Sequence, residues 1–516
     1  PPLAEAPRRL RGPGALRRLP PHVALARPQL EEVAPQQRPG CWSGASFPHT
    51  PEQLLDFGPE WLTAAFRRFG TLPEDNTVAE VLKVERLPSS GLDQAGGAAL
   101  KAFVTVRYAR PGPELHEELF AKLPFEMEAS SSQTTKDTRH RISCVYGDAD
   151  GSELSTYVFC EHLFPFRIPK LYFCDISRET TNYILITERV PYAPRPKLQD
   201  GKVVNRPQTK PWQILPICQK KQDYLLEDPA GVYGCCMRAM AQLAGWDHLG
   251  RYDDFLGPKP RYTAEQFEAG LGQRKAMPAK RSQGLQNAVN GLLSEGIRFA
   301  TEIAPQLFSA RASDPLMLDL MRGDIVEMAP YFQDFQSYLA NSSDFVAAVH
   351  PNLQPDNAFF WRDEQGDMDC GVLDWCNFGR APLVGIFMGC LVGMDADLLD
   401  EQEENMVRIF VDEYSRYGGP RLDVKDVLVR FRLSFVRMLA DSCQWIEKEI
   451  LPETPVEEWK TIQDRFDIRF AGCWSARCRG SNIINSFDFW PRRDFRAVFD
   501  AWRAGAGRPY LTKYAP

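Results

Sequence analysis

Two short runs carry the residue types and spacing that could do chemistry. One is Val349-His350-Pro351-Asn352-Leu353-Gln354-Pro355-Asp356-Asn357, continuing into Ala358-Phe359-Phe360-Trp361, and the other is Gly371-Val372-Leu373-Asp374-Trp375. The first reads as a polar loop held between apolar strands. The second delivers one carboxylate at the end of a further strand, where coordination geometry can be held rigidly. A side-chain amide (Asn357) and a carboxylate (Asp374) are hard oxygen donors, able to ligate Mg²⁺ ions that bridge nucleotide phosphates. The chemistry such a pair suits is metal-dependent phosphoryl transfer.

The loop resembles the catalytic loop of the aminoglycoside and choline kinase-like phosphotransferases, whose usual run is His-Gly-Asp-x-x-x-x-Asn. His350 stands two residues before Asn352 and Asn357 five after it, in the family's spacing. The resemblance implies ATP as donor, Asn357 and Asp374 as Mg²⁺ ligands, and Asn352 with His350 shaping the site of a small-molecule hydroxyl acceptor. Asn352 is the departure, because the family places its catalytic Asp there. An amide hydrogen-bonds a hydroxyl but cannot accept its proton at neutral pH. General-base help is typically worth about 10²–10⁴-fold, whereas phosphoryl transfer depends mainly on positioning and metal charge. Two functions follow: a small-molecule kinase, or a catalytically impaired pseudokinase that binds nucleotide or a partner in a regulatory role. Asp356 is the nearest substitute base, although its slot in the family is not catalytic.

The elements that must position these groups are legible as alternating strands and a few helices. Phe57–Phe69 has helical spacing, with Trp61, Ala65 and Phe66 on one face. Thr77–Leu87, Leu100–Tyr108 and Leu119–Leu123 read as antiparallel strands. The turn between the first two holds Gly91 and Gly96. In the resembling family this slot folds over the nucleotide phosphates, where glycine allows close backbone approach. Lys122, with apolar neighbours on the third strand, matches the family lysine that contacts those phosphates. Its acidic partner is expected on the following helix, as Glu153 or Glu161. Strands at Pro169–Asp175 and Tyr183–Pro191 complete a five-stranded sheet. Just after it the family binds the adenine edge, which maps onto Glu188, Arg189 and Val190.

The fold class expected is α+β: a kinase-like, bilobal chain with a five-stranded antiparallel sheet plus one helix in the N-lobe and a larger, mainly helical C-lobe. Its divisions are a disordered Pro/Arg-rich leader at 1–50, the N-lobe at 51–190 and the C-lobe at 191–516. The C-lobe would include a polar insertion at 195–221, three or more helices between 263 and 340, and an aromatic-rich tail from Leu451 that packs on the lobe. An organelle transit segment is one reading of the leader, which favours Arg and avoids acids; the cytoplasm is the expected compartment. A net charge of -7 argues against a nucleic-acid binder. The apolar run Pro382–Met394 is shorter than the roughly 20 residues of a membrane span. The 13 cysteines lack any CxxC pair and the seven histidines form no HExxH run, which points to reduced thiols and no structural zinc. The acceptor's identity and the oligomeric state are not legible.

Overall fold

Strict alternation makes the strand Leu100–Tyr108 the spine of a sheet: Leu100, Ala102, Val104, Val106 and Tyr108 are buried while the residues between them are not. With β1 (Val78–Arg86), β2 (Leu100–Tyr108), β3 (Glu118–Leu123), β4 (Leu171–Ile176) and β5 (Tyr183–Glu188), the sheet runs in the order β1-β2-β3-β5-β4. Every pairing is antiparallel. The computed structural model describes residues 17–88, 97–199, 202–271 and 279–512. Gly91 and Gly96 lie outside the described residues.

The chain forms two units. One holds the described residues up to 88, those from 97 to 191, and the segment Gly371–Phe378; the other holds 192–370 and 379 onward. The sequence division put Asp374 with the helical part. Instead the short segment around it belongs to the sheet-bearing unit.

β4 and β5 are buried at every position, so both faces of that edge must be covered. Helix α2 (Pro51–Arg68) supplies aromatic cover. Phe66 lies 5.1 Å from Tyr172, and Trp61 lies 5.2 Å from Phe173. The helix starts earlier than its periodicity suggested and breaks at Gly58, whose φ of 71° suits glycine ahead of Pro59.

The expectation of a disordered leader through residue 50 is corrected by the structure from residue 17 onward. Helix α1 (Arg27–Val33) buries Leu30 against Met127 and Cys144. The following turn docks on Asp175, a fully buried carboxylate that accepts from the backbone N–H groups of Trp42 (3.0 Å) and Ser43 (2.8 Å). A Cβ at Gly40 would sit 2.1 Å from that carboxylate, so only glycine fits. Pro/Arg-rich composition hid this because the covering is made by backbone groups and a few apolar anchors. Asp175→Ala orphans buried donors at about 1–3 kcal/mol each. The expected result is a lower urea midpoint with the 17–50 segment becoming protease-sensitive.

Two more helices, α3 (Gln133–His140) and α4 (Ala149–Cys160), lie between β3 and β4. The second unit is mainly helical and centres on α5 (Pro229–His248), buried on nearly every side. Its polar insertion contains a two-stranded pairing of Lys197–Gln199 with Lys202–Asn205. The run near 382–394 is a helix, Val384–Leu391. The aromatic tail packs as expected, with Phe489 and Phe495 5.2 and 5.3 Å from Phe435. Among the described residues, no helix is long and apolar enough to cross a membrane.

Candidate functional site

Lys122 sits on the central strand β3, opposite Lys101 on β2 and Leu185 on β5. Its side chain is 9% exposed, and its Nζ donates to Glu153 Oε2 and to Asp374 Oδ1, each at 2.7 Å. Burial would push the Lys122 ammonium down, but the Asp374 and Glu153 carboxylates outweigh it and hold the group well above its ordinary range. Burial pushes Glu153 up, with Lys122 opposing it. The neighbouring Lys101 is pushed down to about 8, by burial first and by the Lys122 charge second.

The choice that spacing left open is therefore made by the fold, and Glu153 on α4 is the partner. Glu161 caps the sheet instead, its carboxylate accepting from the Leu171 N–H at 2.8 Å. The two carboxylates around Lys122 differ in kind. Glu153 is 3% exposed, whereas Asp374 is 39% exposed.

Three contacts seat the Asp374 segment on its unit. Val372 donates its N–H to the Arg167 carbonyl (2.9 Å), and Asn377 donates its own to Ser152 Oγ (2.8 Å). Trp375, fully buried, stacks on Phe164 with ring centroids 4.1 Å apart. Asp374 itself adopts φ 60°, a left-handed conformation costing of order 1–3 kcal/mol for a non-glycine residue, which these anchors must sustain. Cys376, which the sequence reading passed over, places its Sγ 3.3 Å from Glu153 Oε2 and 3.7 Å from Asp374 Oδ1. Burial, then the Glu153 carboxylate, keeps the thiol protonated. Only its position two residues after a candidate metal ligand signalled it.

At the end of β5, Glu188 is already engaged. Its N–H donates to the Lys170 carbonyl, its carbonyl accepts from the Thr187 hydroxyl, and its carboxylate is held by Arg167 at 2.6 Å. The Arg189 N–H likewise donates to the Glu118 carbonyl. Sheet and ion-pair bonds thus use much of what was expected for a base edge, while Val190 is buried just beyond.

The other unit carries the 350–357 loop. Its approach strand, Val346–Val349, pairs antiparallel with Gly379–Pro382. Asp247, fully buried near the end of α5, accepts from the Ala348 N–H at 3.1 Å and from Arg380 Nε at 2.9 Å. A Cβ at Gly389 would lie 2.3 Å from the Pro351 carbonyl, so this glycine admits the loop backbone. Asp247 and Gly389 were both missed, because an Asp in an apolar helix and a glycine in another look ordinary in isolation.

Within the loop, His350 is buried, and its Nδ1 accepts from the Asn352 N–H at 3.3 Å. It braces the turn. Asn357 donates its Nδ2 to the Asn352 carbonyl at 2.8 Å, which aims the amide and leaves Oδ1 as its donor atom for a cation. Asn352 is exposed, its Oδ1 accepting from Gln354 Nε2 at 2.9 Å. Asp356 accepts from Lys220 Nζ at 3.3 Å.

No family model matches the chain, and no curated protein sequence matches it. Among solved structures it is similar to a Ralstonia eutropha protein described as an aminoglycoside phosphotransferase, at 11% identity and TM-score 0.34 over 79% of this chain and 92% of that one. A spectinomycin phosphotransferase solved with ADP and spectinomycin is 12% identical, with TM-score 0.34 over 77% of this chain and 94% of the other. An ethanolamine kinase from Plasmodium vivax is 10% identical, with TM-score 0.32 over 80% and 83%. Likenesses this distant assign neither activity nor substrate to this chain.

Proposed function

We propose that this chain is an ATP- and Mg²⁺-dependent phosphotransferase that moves a γ-phosphate to a hydroxyl of a small molecule. The observation that carries the reading is the Lys122 cluster: one buried ammonium held between a buried carboxylate and a partly exposed one. A stability bridge needs only one partner. A second carboxylate on a strained, aromatic-anchored turn is the arrangement expected where a cation and phosphates share a site.

The donor chemistry fits Mg²⁺. Asp374 offers hard oxygen at 39% exposure, enough for an ion that keeps several waters, while Glu153 at 3% is walled off. Cys376 places its thiol with Glu153 and Asp374, the three ligand atoms within 4.8 Å of one another, but a soft sulfur donor suits Mg²⁺ poorly. Asp374 would thus serve as a metal ligand on the sheet-bearing unit, and Asn357, on the helical unit, is the ligand that the loop resemblance names. When bound, the metal would neutralise charge on the phosphates. Lys122 would bind phosphate oxygens, with Glu153 fixing its direction. Asn352 would orient the acceptor hydroxyl by a hydrogen bond, and His350 would position Asn352.

Asn352 itself favours one second reading, a chain that binds nucleotide without turnover. One assay series separates them. Mg-ATP at 100 times its Kd stabilises the folded chain by about 2.7 kcal/mol, seen as a raised Tm, and Asp374→Ala removes the Mg²⁺-dependent part of that rise. Steady ATP consumption with amino-alcohol, sugar or aminoglycoside acceptors then supports the kinase over the pseudokinase. No Tm response to any nucleotide refutes both.

A further inference from the structure

Beside the 350–357 loop, in the same unit, lies a group of cations that the proposed chemistry does not use. Lys221 is 8% exposed, adopts φ 60°, and its buried Nζ has no hydrogen-bond partner. Arg477 is 1% exposed; it donates one N–H to the Ala471 carbonyl, while its Nε and Nη2 have no partner. The ring of Trp474 lies near both charges, 6.0 Å from Lys220 Nζ and 5.9 Å from the Arg477 guanidinium carbon.

The cluster adjoins the acceptor loop through Gln354. A Cβ at Gly393 would be 2.1 Å from Lys221 Nζ and 2.9 Å from Gln354 Oε1, so ammonium and amide both pack against this glycine. The Gln354 amide in turn donates to Asn352 Oδ1 at 2.9 Å. Negative charge nearby is mostly committed, although Asp356 Oδ1 is itself buried without a hydrogen-bond partner. Asp356 pairs with Lys220, Asp395 with Arg465 at 2.7 Å, and Asp223 accepts from the Tyr233 hydroxyl at 2.5 Å.

Deep burial of cationic N–H groups without hydrogen-bond partners is costly and persists where a ligand supplies the missing acceptor. We infer that the acceptor carries an anionic group, a carboxylate or a phosphate monoester, bound by Lys221 and Arg477 while its hydroxyl lies at Asn352. This deepens the proposed function and rests on it. Burial, and then Lys220, push Lys221 down to about 8, so at neutral pH it is still mostly charged and gains most from an anion.

Calorimetric titration of the full chain tests it, with glycerol 3-phosphate, glycerate, glycerol and ethanolamine as probes, each with Mg-ADP present. Binding of at least one anionic probe in preference to glycerol and ethanolamine is expected. Lys221→Met should weaken that probe about 10- to 100-fold, the worth of a charge-assisted hydrogen bond, and Lys221→Arg should keep most of the affinity. Mg-ADP affinity stays unchanged throughout. If Lys221→Met fails to fold, Arg477→Met takes its place with the same expectation. Ethanolamine binding as tightly as the anions, or unaltered anion binding in Lys221→Met, overturns the inference. So does an equal loss of Mg-ADP affinity in Lys221→Met, which would make the nucleotide's phosphate the anion. Absent Mg-ADP binding to the native chain refutes the phosphotransferase reading instead.

Discussion

Asn352→Asp raises turnover about 10²–10⁴-fold, the usual worth of a positioned general base, and leaves Mg-ATP affinity where it was. The geometry favours a clean substitution. Asn352 Oδ1 accepts from Gln354 and its carbonyl accepts from Asn357, and a carboxylate keeps both bonds. Its backbone N–H remains on His350 Nδ1, so the turn is not rebuilt. Exposure of Asn352 means that the new charge stays solvated and ionised near neutral pH. The check is kcat under saturating ATP with the same acceptor. An unchanged kcat would mean that proton acceptance does not limit the reaction. A fall would show that the native amide donates a hydrogen bond that the reaction needs.

Lys122→Met produces the second large effect, and here stability and binding separate. Removing the ammonium leaves Glu153 buried beside Asp374 with no hydrogen-bonded cation, a loss of about 3–5 kcal/mol for one partner of a buried pair. Glu153 is already pushed up by burial, then by Asp374 once Lys122 no longer opposes them. A carboxyl whose folded pKa lies above its unfolded value contributes stability at low pH and loses it as pH rises through the folded value. Urea midpoints of the variant should therefore improve as the pH is lowered toward the ordinary carboxylate range. Adding Glu153→Leu should restore much of the midpoint at pH 7 without restoring Mg-ATP binding. Recovery of both would make the cluster a structural bridge only.

Several parts of this architecture were open to reading in one dimension. β2 declared itself by alternation, since burial of every second residue is the same thing as a two-residue period. Lys122 was visible as a charge on an apolar strand, and the His350–Asn357 spacing marked a loop whose internal bonds follow from that spacing. Glu153 and Glu161 could not be separated, because positions eight apart on a helix share a face. The structure separates them by ending α4 at Cys160, so that Glu161 turns toward the Leu171 N–H. The leader was misread because composition reports hydrophobicity and charge. What holds residues 40–43 is a buried carboxylate collecting backbone donors from 132 and 133 positions away in the chain.

By itself, then, the sequence determined which groups exist, their order, and the strands and helices whose periods of two or 3.6 residues place them on a face. Only the tertiary structure decided which groups meet. Lys122 and Asp374 are 252 residues apart in the chain yet 2.7 Å apart in space. Local periodicity holds no record of such a meeting, because it is made by burial. Trp375 must stack on Phe164 before Asp374 can be held in its left-handed turn, and Asp247 must lose its water before it can hold the strand leading to His350.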